Sequence, residues 1–127
     1  MSIHQWATIP ADPQRVYEVL ADADALSALS GMGGKVARSE GEEFAAFDEN
    51  VTGRQIELVP GRRIVQAWRF PRWEPGQHSL VTFTLTAVDG GTDLAIDQHG
   101  EPGDWHDHIA ANWPTFYFTP LTEHFAA

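Results

Sequence analysis

The chemistry this sequence could do is bounded first by what it lacks. There is no cysteine among 127 residues, so thiol nucleophiles, disulfides and thiolate metal sites are excluded. Six histidines are present, and the densest grouping is His106-Asp107-His108. On a helix, residues i and i+2 point about 200° apart, so these imidazoles do not converge on a metal. The triplet reads instead as a solvated helix start whose acid suits the helix dipole. His4, His78, His99 and His124 are scattered. Arg54, Arg62, Arg63, Arg69 and Arg72 crowd one stretch and could hold a carboxylate or phosphate. They could equally pair across strands with Glu40, Glu42, Glu43, Asp48 and Glu49, and this second reading is the expectation because sequential strands usually neighbour each other. For acid–base work the inward candidates are Asp48 and Glu57. Glu57 lies out of phase with Ile56 and Leu58 and is placed outside. No Gly-x-Ser-x-Gly, phosphate loop or dinucleotide fingerprint occurs, and the "GMGG" run is a turn. The reading assumes no catalysis, no cofactor and no metal.

What remains is apolar. Trp68, Phe70, Phe83, Leu85, Leu94, Ile96, Trp113, Phe116 and Tyr117 are spaced to share the inner side of a sheet and a helix. They are either plain core or the lining of a pocket. Gln66 and Gln98 fall on the same faces. In a pocket they would orient a ligand, and otherwise each would bond backbone or water. The hydroxyls of Tyr17 and Tyr117 could reach a ligand, or sit at the rim of the core.

These residues need positioning elements. Residues 3–9 alternate as a strand. Asp12 is placed to cap a helix that opens with Pro13, and Asp22 or Asp24 to cap a second short one, stopped by Gly31, Gly33 and Gly34. Strands are predicted over 35–39, 43–48, 51–59, 63–70, 79–88 and 92–99. Turns are expected at Pro60-Gly61 and Asp89-Gly90-Gly91. From Asp104, taken as the N-cap, Ile109, Trp113, Phe116, Tyr117 and Leu121 recur at helical spacing. Pro114 and Pro120 predict a bent or two-piece helix. Two short helices, about seven antiparallel strands and one long helix make an α+β fold. A long antiparallel sheet curls, and a curled sheet closed by one helix leaves interior space.

The formal net charge of −10 repels phosphate backbones and anionic headgroups, so neither nucleic acid nor a membrane is expected as a partner. No apolar run reaches about 20 residues, and no signal peptide is visible, so a cytoplasmic location is expected.

The segments "IPADPQRVYEVLADADAL", "VTGRQIELVPGRRIVQAWRFPRW", "HSLVTFTLTAVDGGTDLAIDQHG" and "HIAANWPTFYFTPLTEHF" resemble the heat shock protein 90 ATPase activator homologue-like family. That family belongs to the START-like (SRPBCC), helix-grip superfamily. The resemblance covers nearly the whole chain. It implies one domain over residues 1–127, in which a curved antiparallel sheet wraps a long C-terminal helix. The family often carries Trp after the second short helix, where this chain reads Leu29-Ser30-Gly31-Met32, and His at the position of Gln98. The implied function is binding of a small hydrophobic or amphipathic molecule between sheet and helix. The expected contacts are Met32, Gln66, Trp68, Phe70, Phe83, Leu85, Ile96, Gln98, Trp113 and Tyr117. Entry is expected between the helix and the loops after Met32 and around Trp73. The alternatives are a cyclase- or hydratase-like enzyme using pocket polar residues, or a stress-related chaperone-associated interaction module. The last would use a sheet edge or the Trp73 region, and a homodimer is a further option. The family's eukaryotic co-chaperone makes its main chaperone contact through another domain, for which 127 residues leave no room, so a chaperone partner is not expected.

Overall fold

A computed structural model describes residues 2–35 and 39–126. Six strands form one antiparallel sheet: β1 (Ser2–Ile9), β2 (Glu43–Ala46), β3 (Val51–Val59), β4 (Arg63–Arg69), β5 (Ser79–Val88) and β6 (Gly91–His99). Their spatial order is β1-β6-β5-β4-β3-β2, so β2 to β6 form a meander and β1 closes onto β6. About seven strands are expected and six are found among the described residues. Of the predicted strand over 35–39, Lys35 makes an isolated bridge to Ala45, and residues 36–38 lie outside the described residues.

Side-chain alternation sets the two faces. Val81, Phe83 and Leu85 on β5, and Leu94, Ile96 and Gln98 on β6, are buried, while Leu80, Thr84 and Thr86 face out. The register lines up a buried row across five strands: Ile3 opposite Gln98, Gln98 opposite Val81, Val81 opposite Gln66, and Gln66 opposite Gln55. A bulge between Gln55 and Glu57 interrupts β3. It turns Ile56 outward, 47% exposed, where the plain alternation placed it inside. Gly53, opposite Trp68, sits where any Cβ would lie 1.9 Å from the Ala67 carbonyl oxygen.

Helices α1 (Pro13–Ala21) and α2 (Ala23–Ala28) start as the sequence predicts. Asp12 accepts from the Arg15 amide at 2.9 Å, with Pro13 in the first turn. Asp22 accepts from Asp24 and Ala25 at 3.1 and 3.0 Å. The C-terminal rod differs at its start. A 3₁₀ turn over Gly103–Trp105 precedes α3 (His106–Trp113), and no side chain caps either, so Asp104 is not the cap. The Trp105 amide is instead satisfied by the Pro102 carbonyl at 2.9 Å. Pro114 opens a π-helical turn (Pro114–Phe118) that leads into α4 (Thr119–Ala126), and the Thr119 amide reaches back to the Pro114 carbonyl. The prolines therefore widen the helix by one residue rather than break it. Wider turns supply bonds that an interior proline removes from the ordinary ladder.

Candidate functional site

The inner side of the sheet and the rod wall a half-open cavity of about 520 Å³. That is inside the range of about 300–1,000 Å³ usual for ligand pockets. The rod contributes Trp105, His108, Ile109, Asn112, Trp113, Phe116 and Tyr117. Their spacing of three, one, three, one, three and one is a single helical face carried through the π turn. The opposite wall is Met32, Phe47, Asn50, Val51, Trp68, Phe70, Pro71 and Arg72.

Of the ten residues expected from sequence, Met32, Trp68, Phe70, Trp113 and Tyr117 line this space. Gln66, Phe83, Leu85, Ile96 and Gln98 are buried in the core without lining it. The two glutamines have a definite occupation. Trp68 Nε1 donates to Gln66 Oε1 at 2.7 Å, and Gln66 Nε2 donates to Gln55 Oε1 at 3.1 Å. Trp113 Nε1 donates to Gln98 Oε1 at 3.1 Å, and Gln98 Nε2 donates to Ser79 Oγ at 2.9 Å. Each glutamine thus fixes one indole, and the two indoles stack at 4.9 Å between centroids. The sequence reading offered ligand, backbone or water as their partners. The partner found is instead a neighbouring indole, two residues along the same strand for Gln66 and on α3 for Gln98.

The aromatic wall is continuous. Tyr117 lies 4.6 Å from Trp113 and stacks on Phe83 at 5.8 Å, while Phe70 stacks on Trp105 at 5.1 Å. Trp73 packs on Phe70 and Trp105 and is only 4% exposed. The Trp73 ring is packed inside, and the exposed residues around it are Pro71, Arg72, Glu74, Pro75 and Gly76. Burial pushes the Tyr117 phenol well above its ordinary value, and no described residue takes its hydroxyl. Tyr17, raised by burial and then by Glu40, lies in the core away from the cavity.

Sequence reasoning missed how Phe47 and Asn50 reach the wall. The predicted strand 43–48 stops at Ala46, because Phe47, Asp48 and Glu49 all take left-handed conformations (φ 55°, 58° and 67°) without a glycine among them. Such residues cost about 1–2 kcal/mol each and need support. Support comes from Ser27 Oγ, which accepts from the Phe47 amide at 2.8 Å, and from the Gly33 carbonyl, which accepts from the Asp48 amide at 2.9 Å. Asn50 Nδ2 donates to the Phe47 carbonyl at 2.7 Å. Asp48 and Asn50 are turn formers by type, but no glycine or proline marks the turn.

The charged candidates resolve differently. Arg54 pairs with Glu43 at 2.7 Å across β2–β3, as expected, but Arg63 pairs with Glu57 on the same hairpin. Arg69 donates to the carbonyls of Trp73 and Glu74. Pairs this exposed contribute about 0–1 kcal/mol each. A second depression of about 570 Å³ is lined by Arg54, Arg69 and Glu43, whose charges are already engaged with each other or with carbonyls. In the triplet, His106 Nδ1 meets Glu101 Oε2 at 2.7 Å, and the Glu101 side chain is fully buried. No group of three metal-ligating side chains forms among the described residues. No helix among them is long and apolar enough to cross a membrane.

A curved antiparallel sheet that grips a C-terminal helix over an apolar cavity defines the START-like, helix-grip class. Residues 10–126 match the family described as activator of Hsp90 ATPase homolog 1-like protein, and the chain belongs to it. The human activator of 90 kDa heat shock protein ATPase homolog 1 is 27% identical over 118 residues, covering 93% of this chain and 35% of the relative. The chain thus spans about a third of the length of that relative. An HSP90 activator from Plasmodium falciparum superposes with a TM-score of 0.91 at 21% identity, over 99% of this chain and 96% of that one. The Aha1 dimer from Colwellia psychrerythraea gives 0.79 at 17% identity, over 95% and 93%. At these identities the structural likeness is one of fold.

Proposed function

We propose that the chain binds a small apolar or amphipathic molecule in the cavity between sheet and helix, without turnover, in the cytoplasm. The observation that carries this reading is the unfilled space of about 520 Å³ walled by aromatic rings. Side chains stacked and hydrogen-bonded as Trp68 and Trp113 are do not collapse to fill such a gap, which favours a guest. No carboxylate lines the space among the described residues and burial holds the Tyr117 phenol protonated, which leaves His108 as the single lining side chain suited to proton transfer. The test is titration with the uncharged fluorophore N-phenylnaphthylamine. Saturable one-to-one binding is expected, weakened by Phe116→Ala and by Trp68→Ala. The partly exposed Phe116 is the safer probe of the two. Absence of saturation with folded protein refutes the reading.

A second reading rests on the family itself: the Plasmodium relative, described as an HSP90 activator, matches this chain over 96% of its length. Stimulation of the ATPase of purified Hsp90 by the chain supports a chaperone-associated role, and its absence over a full titration counts against it. The Colwellia relative is described as a dimer, and light scattering of the eluting protein decides the same question here.

A further inference from the structure

We infer that the molecule bound in the cavity is an aromatic carboxylate, with its anionic end at Arg72. This rests on the ligand-binding reading above and specifies the ligand. The charge pattern around the cavity is the first argument. The chain has 18 acidic residues against 8 basic ones, yet no acid is in the lining and an arginine is. The second argument is how the other cations are used. Arg54 and Arg63 hold carboxylates, Arg69 holds backbone carbonyls, Arg15 lies over the Phe125 ring at 5.2 Å, and Lys35 and Arg62 line no part of this cavity. Arg72 is exposed and has no hydrogen-bond or ion-pair partner among the described residues. A guanidinium left unpaired in a strongly acidic protein, against an apolar pocket, offers two parallel donors to a carboxylate. His108 and Asn112 also line the cavity, their side chains 3.3 Å apart, and add polar groups beside the aromatic wall. Trp68, Phe70, Trp105, Trp113 and Phe116 all line the cavity, and a wall this rich in rings favours an aromatic guest, which can pack against them by edge or face.

The test compares naphthylacetate with its uncharged analogue naphthylethanol. Each is titrated as a competitor of N-phenylnaphthylamine, against the wild-type chain, Arg72→Gln and Arg62→Gln. Arg62 is an exposed arginine outside the cavity. One charge-assisted contact predicts that the acid binds about tenfold more tightly than the alcohol. Arg72→Gln should bring that ratio close to one, whereas Arg62→Gln should leave it unchanged. If N-phenylnaphthylamine does not bind at all, the cavity reading falls and this inference with it. The fluorophore binding while acid and alcohol compete equally, or while neither competes, overturns the carboxylate assignment alone. A ratio that survives Arg72→Gln, or that drops equally in Arg62→Gln, also overturns it.

Discussion

Replacing Gln98 by methionine isolates what the buried glutamines do. Gln98 is fully buried and joins Trp113 Nε1, at 3.1 Å, to Ser79 Oγ, at 2.9 Å. Methionine has a similar length and conserves volume, so the steric component is small. The Ser79 oxygen loses one donor, and the indole N–H of Trp113, itself 1% exposed, is left in the core with no acceptor. An unsatisfied buried donor costs about 1–3 kcal/mol. With the lost second bond, Gln98→Met should lower stability by about 2–3 kcal/mol, equivalent to a fall in Tm of roughly 10 °C. Urea unfolding followed by far-ultraviolet circular dichroism measures this without relying on the altered tryptophan. Adding Trp113→Phe removes the orphaned donor, so the double variant should recover at least about 1 kcal/mol relative to additivity. A loss below about 0.5 kcal/mol, or a strictly additive cycle, refutes the claim that the glutamine serves the indole.

Other expectations follow from single features. Gly53→Ala places a Cβ 1.9 Å from the Ala67 carbonyl oxygen and should cost about 1–3 kcal/mol in the same urea assay. His106→Ala strips the buried Glu101 carboxyl of its contact with the imidazole at 2.7 Å and should destabilise by about 1–3 kcal/mol in the same assay; a loss below about 0.5 kcal/mol speaks against that bond. Burial raises the folded pKa of Tyr117 above its ordinary value of 10.0, so the folded chain keeps a proton that the unfolded chain sheds above that pH. Stability is therefore full below about pH 10 and declines above it, and Tyr117→Phe should flatten the decline in urea midpoints measured between pH 9 and 11. Asp12→Ala, which removes the cap on α1, should cost about 1 kcal/mol.

The strands were legible because one face of the sheet is dry, which imprints period two on residues such as Val81, Phe83 and Leu85. The starts of α1 and α2 were legible because Asp12 and Asp22 are local caps, readable from a few neighbours. Three features were not. The left-handed turn at Phe47–Glu49 is imposed by hydrogen bonds from Ser27 and Gly33, remote in sequence. The β3 bulge at Ile56 breaks a pattern that looked regular, because register is settled by the partner strand β4. The division of the inner residues into lining and packing depends on depth. Phe83 and Trp68 carry the same period-two signature, yet only Trp68 reaches the cavity. The apolar face was readable, but its thickness was not.

The pairing of β1 with β6 has a bearing on how the chain is made. Ser2 lies opposite His99 and Ile9 opposite Thr92, whereas every other strand pairs with its immediate successor or predecessor in the chain. Hairpins of the meander can zip as soon as each leaves the ribosome, since their loops are short and closing them forfeits little entropy. The first strand has to wait for the sixth. During translation its ladder edge stays open and Trp6, on its outer face, has no settled neighbour, so slowing synthesis before residue 91 lengthens the interval in which a nascent chain is prone to pair with the wrong strand.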